Sequence, residues 1–308
     1  MPKYIHLAGI AFSTIFGFSF MFSKIALNYT TPVGVIAYRF LVAFLFFELL
    51  RRLKITRIHL DQNDLKKLLR VALLQPVLYF LLETYGLNLV SSSEAGMMIA
   101  LIPIFVTILS ALILQEKARL IQVFFIILSV SGVLYIQISK ADEGLTFELA
   151  GFFLLLGAVI AAALFNIASR DASKTMTPQQ LTYFMMLAGA ISFNAIYLSQ
   201  LVYEQRLPDY ITNLGRIELI GPILYLGIVA SIGGFFLVNV SLRHLPAHIS
   251  SIYANLATVV AIVAGVTFLR ETLEIYHYIG SAMILIGVYG TVRTRRVKRK
   301  KRLSHGHI

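Results

Sequence analysis

The amino-acid sequence predicts an all-α, polytopic membrane protein with ten transmembrane helices in two inverted five-helix repeats. Three features predict this fold class: an apolar composition, ten apolar runs of helical length, and an internal repeat. Of the 308 residues, 58% are hydrophobic and only 14% are charged, whereas a soluble protein carries about 25% charged residues. Length alone favours two soluble domains, and the composition excludes that interpretation.

Each apolar run is long enough to cross a bilayer, since the hydrocarbon core requires roughly 20 apolar residues in a helix. Most connections are short, so helices that follow one another in the chain should be antiparallel neighbours. Residues 51–70 form a longer, amphipathic connection that we expect to lie along the membrane surface. The predicted spans are residues 5–27, 32–50, 71–90, 94–114, 121–139, 149–168, 180–203, 218–240, 249–269 and 276–292.

An internal repeat divides the chain into two halves. The segment 101–133 recurs 155 positions later without a gap, as an apolar run, a glutamate at a helix corner and a second apolar run. We therefore predict five-helix domains at 1–140 and 148–294, followed by a basic cytoplasmic tail at 295–308. The aligned residues are Leu101, Leu114, Glu116, Gly132 and Val133 in the first half, and Leu256, Leu269, Glu271, Gly287 and Val288 in the second.

Because five is an odd number, the two halves must enter the membrane in opposite directions, as in alternating-access carriers with a solute site between the repeats. Lys and Arg concentrate in the loops on the N-terminal side, and the opposite loops hold only Lys140, Arg206, Arg216 and Arg270. The positive-inside rule then predicts a cell-membrane protein with both termini in the cytoplasm. The basic tail should contact anionic lipid head groups rather than nucleic acid, because no folded basic surface accompanies it.

Each half carries an apolar helix that ends in Leu-x-Glu before its last helix, at Leu114 to Glu116 and at Leu269 to Glu271. This arrangement resembles the EamA-type drug/metabolite transporter superfamily, although the second half has Thr258 where the first has Pro103. The resemblance implies export of small metabolites, often amino acids or related amphiphilic solutes. It also implies that helices 1–4 and 6–9 surround a cavity, with helices 5 and 10 outside it, in a monomer or at the surface of a homodimer.

Ionisable residues within the predicted spans are functional hypotheses, because a charge in lipid is costly. Arg39 and Glu83 lie at similar depths, roughly 10 Å from the same surface at 1.5 Å per residue, so we expect them to pair and to remain charged. Two interpretations stay open: a structural ion pair between helices, or a site where Glu83 binds a proton or a substrate amine. Lys24 and Glu48 are expected to reach the membrane interface.

A further group of polar side chains is expected to line the cavity and to offer hydrogen bonds and aromatic faces to an amphiphilic ligand. For each asparagine, hydrogen bonding between helices is an equally good interpretation. Glu116 and Glu271 are expected to be structural, as caps of helices 5 and 10. With Arg39 and Glu83, the predicted substrate-binding residues are Tyr38, Tyr79, Asn166, Asn239, Tyr253 and Asn255, and Tyr85 is a further candidate.

The sequence contains no catalytic or nucleotide-binding motif, so we predict a protein that is not an enzyme and uses no cofactor. Cysteine is absent, and Pro246 separates His244 from His248, so no metal site is expected. The predicted function is secondary transport of small organic metabolites by alternating access, coupled to protons or driven by the solute's own gradient. A passive channel and an intramembrane enzyme acting on lipid are the alternatives.

Overall fold

The computed structural model describes residues 3–56, 58, 65–114, 120–139, 145–245, 250 and 253–293. Within these ranges the chain is helical and contains no strand, as the sequence predicts. It forms an all-α membrane fold of ten helices, α1–α10, in two inverted five-helix repeats. Glu116, Pro246, His248 and the predicted tail at 295–308 lie outside the described residues.

Several of the helices consist of consecutive pieces, and a short loop helix, Asp209–Leu214, connects α7 to α8. The first half contains α1 (Lys3–Leu27), α2 (Pro32–Arg52), α3 (Leu65–Ala72, Leu73–Leu78 and Tyr79–Leu89), α4 (Ser92–Ile99 and Ile102–Leu114) and α5 (Leu120–Ser139). The second half contains α6 (Leu145–Ala172), α7 (Pro178–Tyr203), α8 (Ile217–Leu224, Tyr225–Gly234 and Phe235–His244), α9 (Ala254–Phe268) and α10 (Ile275–Arg293).

Length and apolar composition identify membrane spans directly in six helices: α1, α2, α4, α6, α7 and α8. Shorter apolar stretches occupy α5 and α9, at Leu120–Ile136 and Asn255–Phe268. The helix α3 begins at Leu65 with a basic, amphipathic first piece that continues into the apolar piece. The surface placement predicted for residues 51–70 stays a prediction.

Local sequence determines where the equivalent helices α2 and α7 begin. The Thr31 hydroxyl accepts a hydrogen bond from Gly34 N at 3.2 Å, and Thr177 forms a reciprocal capping box with Gln180. In both cases proline follows as the first helical residue, where its missing N–H is not needed. The same Thr-Pro pair thus specifies the same helix start in both halves.

The packing of the helices shows the inverted repeat. The helix α2 packs against α7, α4 against α9 and α5 against α10, so each contacts its own counterpart. The helix α1 packs against α8 and α9, and α6 packs in the same way against α3 and α4. Exchanging the halves therefore reproduces the contacts, as a two-fold axis in the membrane plane requires. We call the end with residues 3 and 293 the terminal face and the other end the opposite face.

Three helices are interrupted near the middle of the bundle. The backbone of α3 leaves the helical region at Gln75 (φ −150°, ψ 116°), beside Pro76. The helix α4 is interrupted between Ile99 and Ile102, and α8 is π-helical over Tyr225–Gly234. Proline removes an N–H donor and clashes with the preceding turn. Irregular backbone in a membrane is tolerated only where it is buried in protein or lines a cavity, so these interruptions point to the centre of the bundle.

Candidate solute-binding cavity

A cavity lies between the two halves. Helices α1–α4 of the first half and α6, α8 and α9 of the second contribute to its wall, whereas α5 and α10 pack against each other. Seven of the eighteen lining residues are aromatic, and such rings suit an apolar group. The aromatic lining residues are Phe12, Phe16, Phe20, Tyr79, Phe80, Phe165 and Phe235.

Arg39 places a cation in this wall and is only 2% exposed. Its Nε donates to Ser231 Oγ of α8 at 2.8 Å, and its guanidinium carbon lies 4.3 Å from the centre of the Phe80 ring. Among the described residues the guanidinium makes no other hydrogen bond, so its terminal nitrogens keep donors available. A buried cation with available donors is a good binding group for a carboxylate.

Glu83 places a carboxyl group in the same wall and is also 2% exposed. Its Oε2 accepts a hydrogen bond from the Thr84 hydroxyl at 3.0 Å. Contrary to the predicted contact, no direct ion pair joins Arg39 to Glu83 within the part of the chain that the structure describes. The reason is that Ser231 and Phe80 hold the guanidinium. The cavity therefore presents a guanidinium and a carboxyl group that remain separate.

Only some of the other predicted binding residues line the cavity. Tyr79 and Asn166 line the cavity with Arg39 and Glu83, and Asn166 Nδ2 donates to Ala162 O at 2.8 Å. Tyr85 is 40% exposed on the outside of the bundle. The structure places Tyr38, Asn239, Tyr253 and Asn255 outside the set of residues that line the cavity.

Tyr38 instead closes the contact between α2 and α7 at the opposite face. Its hydroxyl donates to Tyr210 O of the loop helix at 2.8 Å, and its ring packs edge-on against Tyr197. The Tyr210 hydroxyl donates to Asn194 Oδ1 at 2.6 Å. Burial raises the pKa of the Tyr210 phenol, which keeps it protonated as a donor. These contacts hold the loop helix against the ends of both helices.

Asn239 connects three helices of the second half. Its Oδ1 accepts from Ser169 Oγ of α6 at 2.9 Å, and its Nδ2 donates to Thr182 Oγ1 of α7 at 3.0 Å. The side chain is fully buried and bonded on both sides, as in hydrogen bonding between helices.

Tyr253 and Asn255 lie near the start of α9. The Tyr253 hydroxyl is 2.6 Å from His6 Nδ1, and the ring packs edge-on against Phe12. Asn255 Oδ1 is buried without a hydrogen-bond partner among the described residues. Tyr253 thus joins α1 to α9 beside the terminal face.

Glu271 meets the start of α4 rather than the start of α10, for which the sequence predicted a cap. Its Oε1 accepts from Ser92 N at 2.7 Å and Ser92 Oγ at 2.8 Å. Its Oε2 accepts from Ser93 N at 3.0 Å and from Ser93 Oγ. A carboxylate at a helix N-terminus satisfies free N–H groups and interacts favourably with the helix dipole. The contact joins the second half to the first at the opposite face.

A histidine takes the capping position that was predicted for Glu271. His277 Nδ1 accepts a hydrogen bond from Glu274 N at 3.0 Å at the start of α10. His277 Nε2 lies 3.4 Å from Glu94 Oε1, and the other oxygen of Glu94 accepts from Ser91 N at 3.0 Å in a capping box. The run Ser91 to Glu94, three serines and a glutamate after an apolar segment, was the sequence signal for this helix start.

Lys24 and Glu48 bind groups near the ends of their helices. Lys24 Nζ donates to Leu87 O at 2.9 Å and to Val90 O at 2.6 Å, so it caps the end of α3. Glu48 accepts two hydrogen bonds from Arg51, both at 2.7 Å, at the terminal face. The cap explains why Lys24 does not need to extend into water.

Sequence reasoning missed Ser231 and Phe80, the two partners of Arg39. Serine and phenylalanine are common in membrane helices, so neither residue type stands out alone. The available signals were indirect: Pro76 inside an apolar run, and two consecutive glycines at 233 and 234, mark the interrupted helices that carry these residues.

A family model described as the EamA-like transporter family matches residues 3–138 and 149–293. The chain belongs to this family. It is therefore a multi-pass membrane transporter for a small-molecule substrate. The two matched ranges coincide with the two halves that exchange in the helix packing.

Relatives of this EamA-like chain extend over nearly its whole length. An uncharacterized transporter, YcxC, of Bacillus subtilis (strain 168) is 34% identical over 290 residues, covering 94% of this chain and 92% of the relative. A protein of Salmonella typhimurium named "Probable amino-acid metabolite efflux pump" is 26% identical and covers 94% and 95%. A solved crystal structure with 15% identity covers 96% of this chain and 97% of its own, with a TM-score of 0.59, and shows the same fold.

The cavity of this family member combines two kinds of recognition. Arg39 and Glu83 offer a guanidinium and a carboxyl group in a low-dielectric environment, where hydrogen bonds are electrostatically stronger than in water. The phenylalanine rings offer apolar surface. Within the described residues, no cluster of three or more His, Asp or Glu side chains is suited to a metal ion.

Proposed function

We propose that this member of the EamA-like family is a secondary transporter that exports small amphiphilic zwitterions of the amino-acid type across the cytoplasmic membrane by alternating access. The observation that carries the proposal is the cavity between the inverted halves, in which the buried Arg39 guanidinium and the buried Glu83 carboxyl group lie apart among aromatic rings. Inverted repeats around a central solute site are typical of alternating-access carriers.

The charges of the cavity favour a zwitterion. Arg39 has donors suited to a carboxylate, and Glu83 has oxygens suited to an ammonium group. Because a buried charge is costly unless it is paired, a solute that pairs with both residues is favoured over a simple anion or cation. The aromatic wall suits an apolar side chain on that solute. The printed name of the Salmonella typhimurium relative, an amino-acid metabolite efflux pump, supports the same class.

The distribution of contacts favours a conformation that is closed at the opposite face. Hydrogen bonds of Lys24, Tyr38 and Glu271 tie helix ends together there. Asn166 and Ser250 extend the cavity lining from Arg39 and Glu83 towards the terminal face. The excess of Lys and Arg in the loops favours a cytoplasmic terminal face. In this orientation the solute enters from the cytoplasm, and its export is coupled to protons or driven by the solute's own gradient.

The test is transport by the purified full-length chain in liposomes. We expect saturable movement of labelled phenylalanine or leucine, and weak competition from the corresponding amines and carboxylic acids, which pair with only one charge. Arg39→Gln should raise the half-saturating concentration about tenfold or more, because a charged hydrogen bond contributes roughly 1.5–3 kcal/mol. Arg216→Gln, at an exposed residue of the opposite face, is the matched control and should leave transport unchanged.

Other outcomes contradict the proposal. Flux that rises linearly with concentration and does not saturate indicates a passive channel. Chemical turnover of a lipid without solute movement indicates an intramembrane enzyme.

A further inference from the structure

The cavity wall contains a buried glutamine whose side chain has no hydrogen-bond partner in the protein. Gln75 of α3 lines the cavity and is 7% exposed. Among the residues that the structure describes, its carboxamide makes no hydrogen bond. Burial of an amide without a hydrogen bond costs free energy, so a ligand that supplies the missing partner is favoured. Because the amide carries an acceptor oxygen and an NH2 donor, Gln75 is suited to a neutral polar group.

The interruption of α3 places this glutamine in the wall. Its backbone leaves the helical region beside Pro76, and the interrupted piece, Leu73–Leu78, packs against α6 and α7. Gln75 is the one polar residue of that piece. Discontinuous helices typically form the solute sites of secondary transporters, so the position of Gln75 in the chain agrees with a role in solute binding.

Gln75 lies apart from the charged end of the cavity. It precedes Tyr79 by four residues and Glu83 by eight, and all three line the cavity. At a rise of 1.5 Å per residue, Gln75 is about 12 Å from Glu83 along α3, on the side of the terminal face, where α3 begins. The cavity therefore has charged groups at one end and a neutral amide nearer the other.

A second neutral group lies on the neighbouring helix of the other half. Asn166 of α6 lines the cavity, and its Nδ2 donates to Ala162 O at 2.8 Å, which leaves Oδ1 as an acceptor. Of the serine hydroxyls in the wall, Ser19 Oγ donates to Phe16 O, and Ser250 Oγ lies 2.9 Å from Ser241 Oγ. The amide oxygens are thus the acceptors best placed for a donor on the solute.

We propose that Gln75 is a specificity-determining residue, which binds a neutral hydrogen-bond donor such as a hydroxyl group at the far end of the solute's side chain. The inference rests on the proposed function and selects, within its solute class, the zwitterions that carry such a donor. With the charged groups of the solute at Arg39 and Glu83, its side chain extends along the aromatic rings towards Gln75. A side chain as long as that of tyrosine, with a hydrogen bond of about 2.9 Å at each end, spans this distance.

Competition for exchange of labelled phenylalanine tests the inference in liposomes that contain the full-length chain. Three unlabelled competitors have nearly the same shape: tyrosine carries a donor, O-methyltyrosine replaces that donor by an ether, and phenylalanine has neither. We expect tyrosine to inhibit at an about tenfold lower concentration than phenylalanine, because one buried hydrogen bond contributes on the order of 1 kcal/mol. O-Methyltyrosine should inhibit no better than phenylalanine.

Substitution of Gln75 assigns this preference to one side chain. Gln75→Met has a similar length but no amide, so tyrosine should lose its advantage while phenylalanine inhibits within about twofold of the parent value. Gln122→Met is the matched control, because Gln122 is a buried glutamine of α5 outside the set of lining residues. This control should keep the parent's ratio of tyrosine to phenylalanine. If Gln75→Met does not fold, the comparison of tyrosine with O-methyltyrosine in the parent still decides.

Equal inhibition of the parent by all three competitors overturns the inference. It is also overturned if Gln75→Met keeps the preference for tyrosine, or if Gln122→Met loses that preference as well. Exchange of phenylalanine by the parent distinguishes the two levels of the account. Its absence contradicts the proposed function, whereas saturable exchange without a preference for tyrosine contradicts the role of Gln75 alone.

Discussion

Arg39 of the first half donates through Nε to Ser231 Oγ of the second half at 2.8 Å. This hydrogen bond crosses between α2 and α8 and leaves the terminal nitrogens of the guanidinium available at the cavity wall. It fixes the orientation of the guanidinium and connects one helix of the first half to one helix of the second.

Removal of the Ser231 hydroxyl should weaken solute binding without removing the charge. We expect Ser231→Ala to raise the half-saturating concentration of a zwitterionic solute about fivefold, because a typical hydrogen bond contributes roughly 1 kcal/mol. The concentration dependence of uptake into liposomes measures this effect. Ser199→Ala, at an exposed serine of α7 whose hydroxyl bonds only to its own helix, is the control. Equal half-saturation in the parent and Ser231→Ala would show that the bond does not position Arg39.

Glu83 should act on the ammonium group of the solute. Glu83→Gln keeps the shape of the side chain and an acceptor for the Thr84 hydroxyl but removes the charge, so we expect transport of zwitterions to fall at least about tenfold. Because Arg39 and Glu83 form no direct ion pair, the double exchange Arg39→Glu with Glu83→Arg should not restore transport. Uptake by the single and double variants, with folding checked by thermal unfolding, gives the answer. Recovery in the double variant would show that the charges function as a pair.

Asn239 should contribute to stability and not to solute recognition. Asn239→Ala leaves Ser169 and Thr182 without their buried partner, so we expect a loss of about 1–3 kcal/mol in the free energy of unfolding and an unchanged half-saturating concentration. Thermal unfolding in detergent and uptake by the same preparation measure the two quantities. Asn88→Ala, at an exposed residue of α3, provides the comparison. A change in the half-saturating solute concentration, with an unchanged free energy of unfolding, would show that Asn239 contributes to solute binding.

Gly17 should be required for the contact between α1 and α9. A Cβ atom at Gly17 would lie 2.5 Å from Val260 Cβ and 2.8 Å from Ala257 O, so the helices would have to separate. At Gly221 a Cβ atom would meet no described atom within 4 Å. We therefore expect Gly17→Ala to destabilise the protein by about 1–3 kcal/mol through overpacking and Gly221→Ala to have little effect on thermal unfolding. Similar melting temperatures for the two variants would contradict this packing.

The sequence was sufficient to predict the fold because the signals for it are long and repeated. Ten apolar runs, the match between 101–133 and 256–288, and the shared Thr-Pro helix starts at 31 and 177 all specify one architecture. The same periodic signals could not predict the faces of the helices at the centre. Tyr38 and Asn239 are polar residues within spans, as Tyr79 and Asn166 are, and only the packing separates those that bind other helices from those that line the cavity.

The sequence also did not predict which groups the charged residues contact. Counting residues along the helices placed Arg39 and Glu83 at the same depth in the membrane, and both residues do line the same cavity. A direct ion pair between them was a reasonable prediction from this shared depth. The position of the Arg39 guanidinium depends instead on Ser231 of α8 and Phe80 of α3. Neither residue belongs to a recognisable sequence pattern. Glu271 was recognised as a residue at a helix corner, but the helix that it caps lies in the other half, 179 positions from Ser92. Sequence spacing gives no information on such a partner.

Counterflow in liposomes tests the central claim, a carrier with one solute site between two inverted halves, most directly. Vesicles that contain the purified chain are loaded with unlabelled phenylalanine and diluted into labelled phenylalanine at constant pH. A carrier that alternates between two faces should accumulate the label transiently above its external concentration, and Arg39→Gln should abolish the overshoot. Uptake of the label that is not accelerated by the internal solute, or an overshoot that persists in Arg39→Gln, would contradict the account.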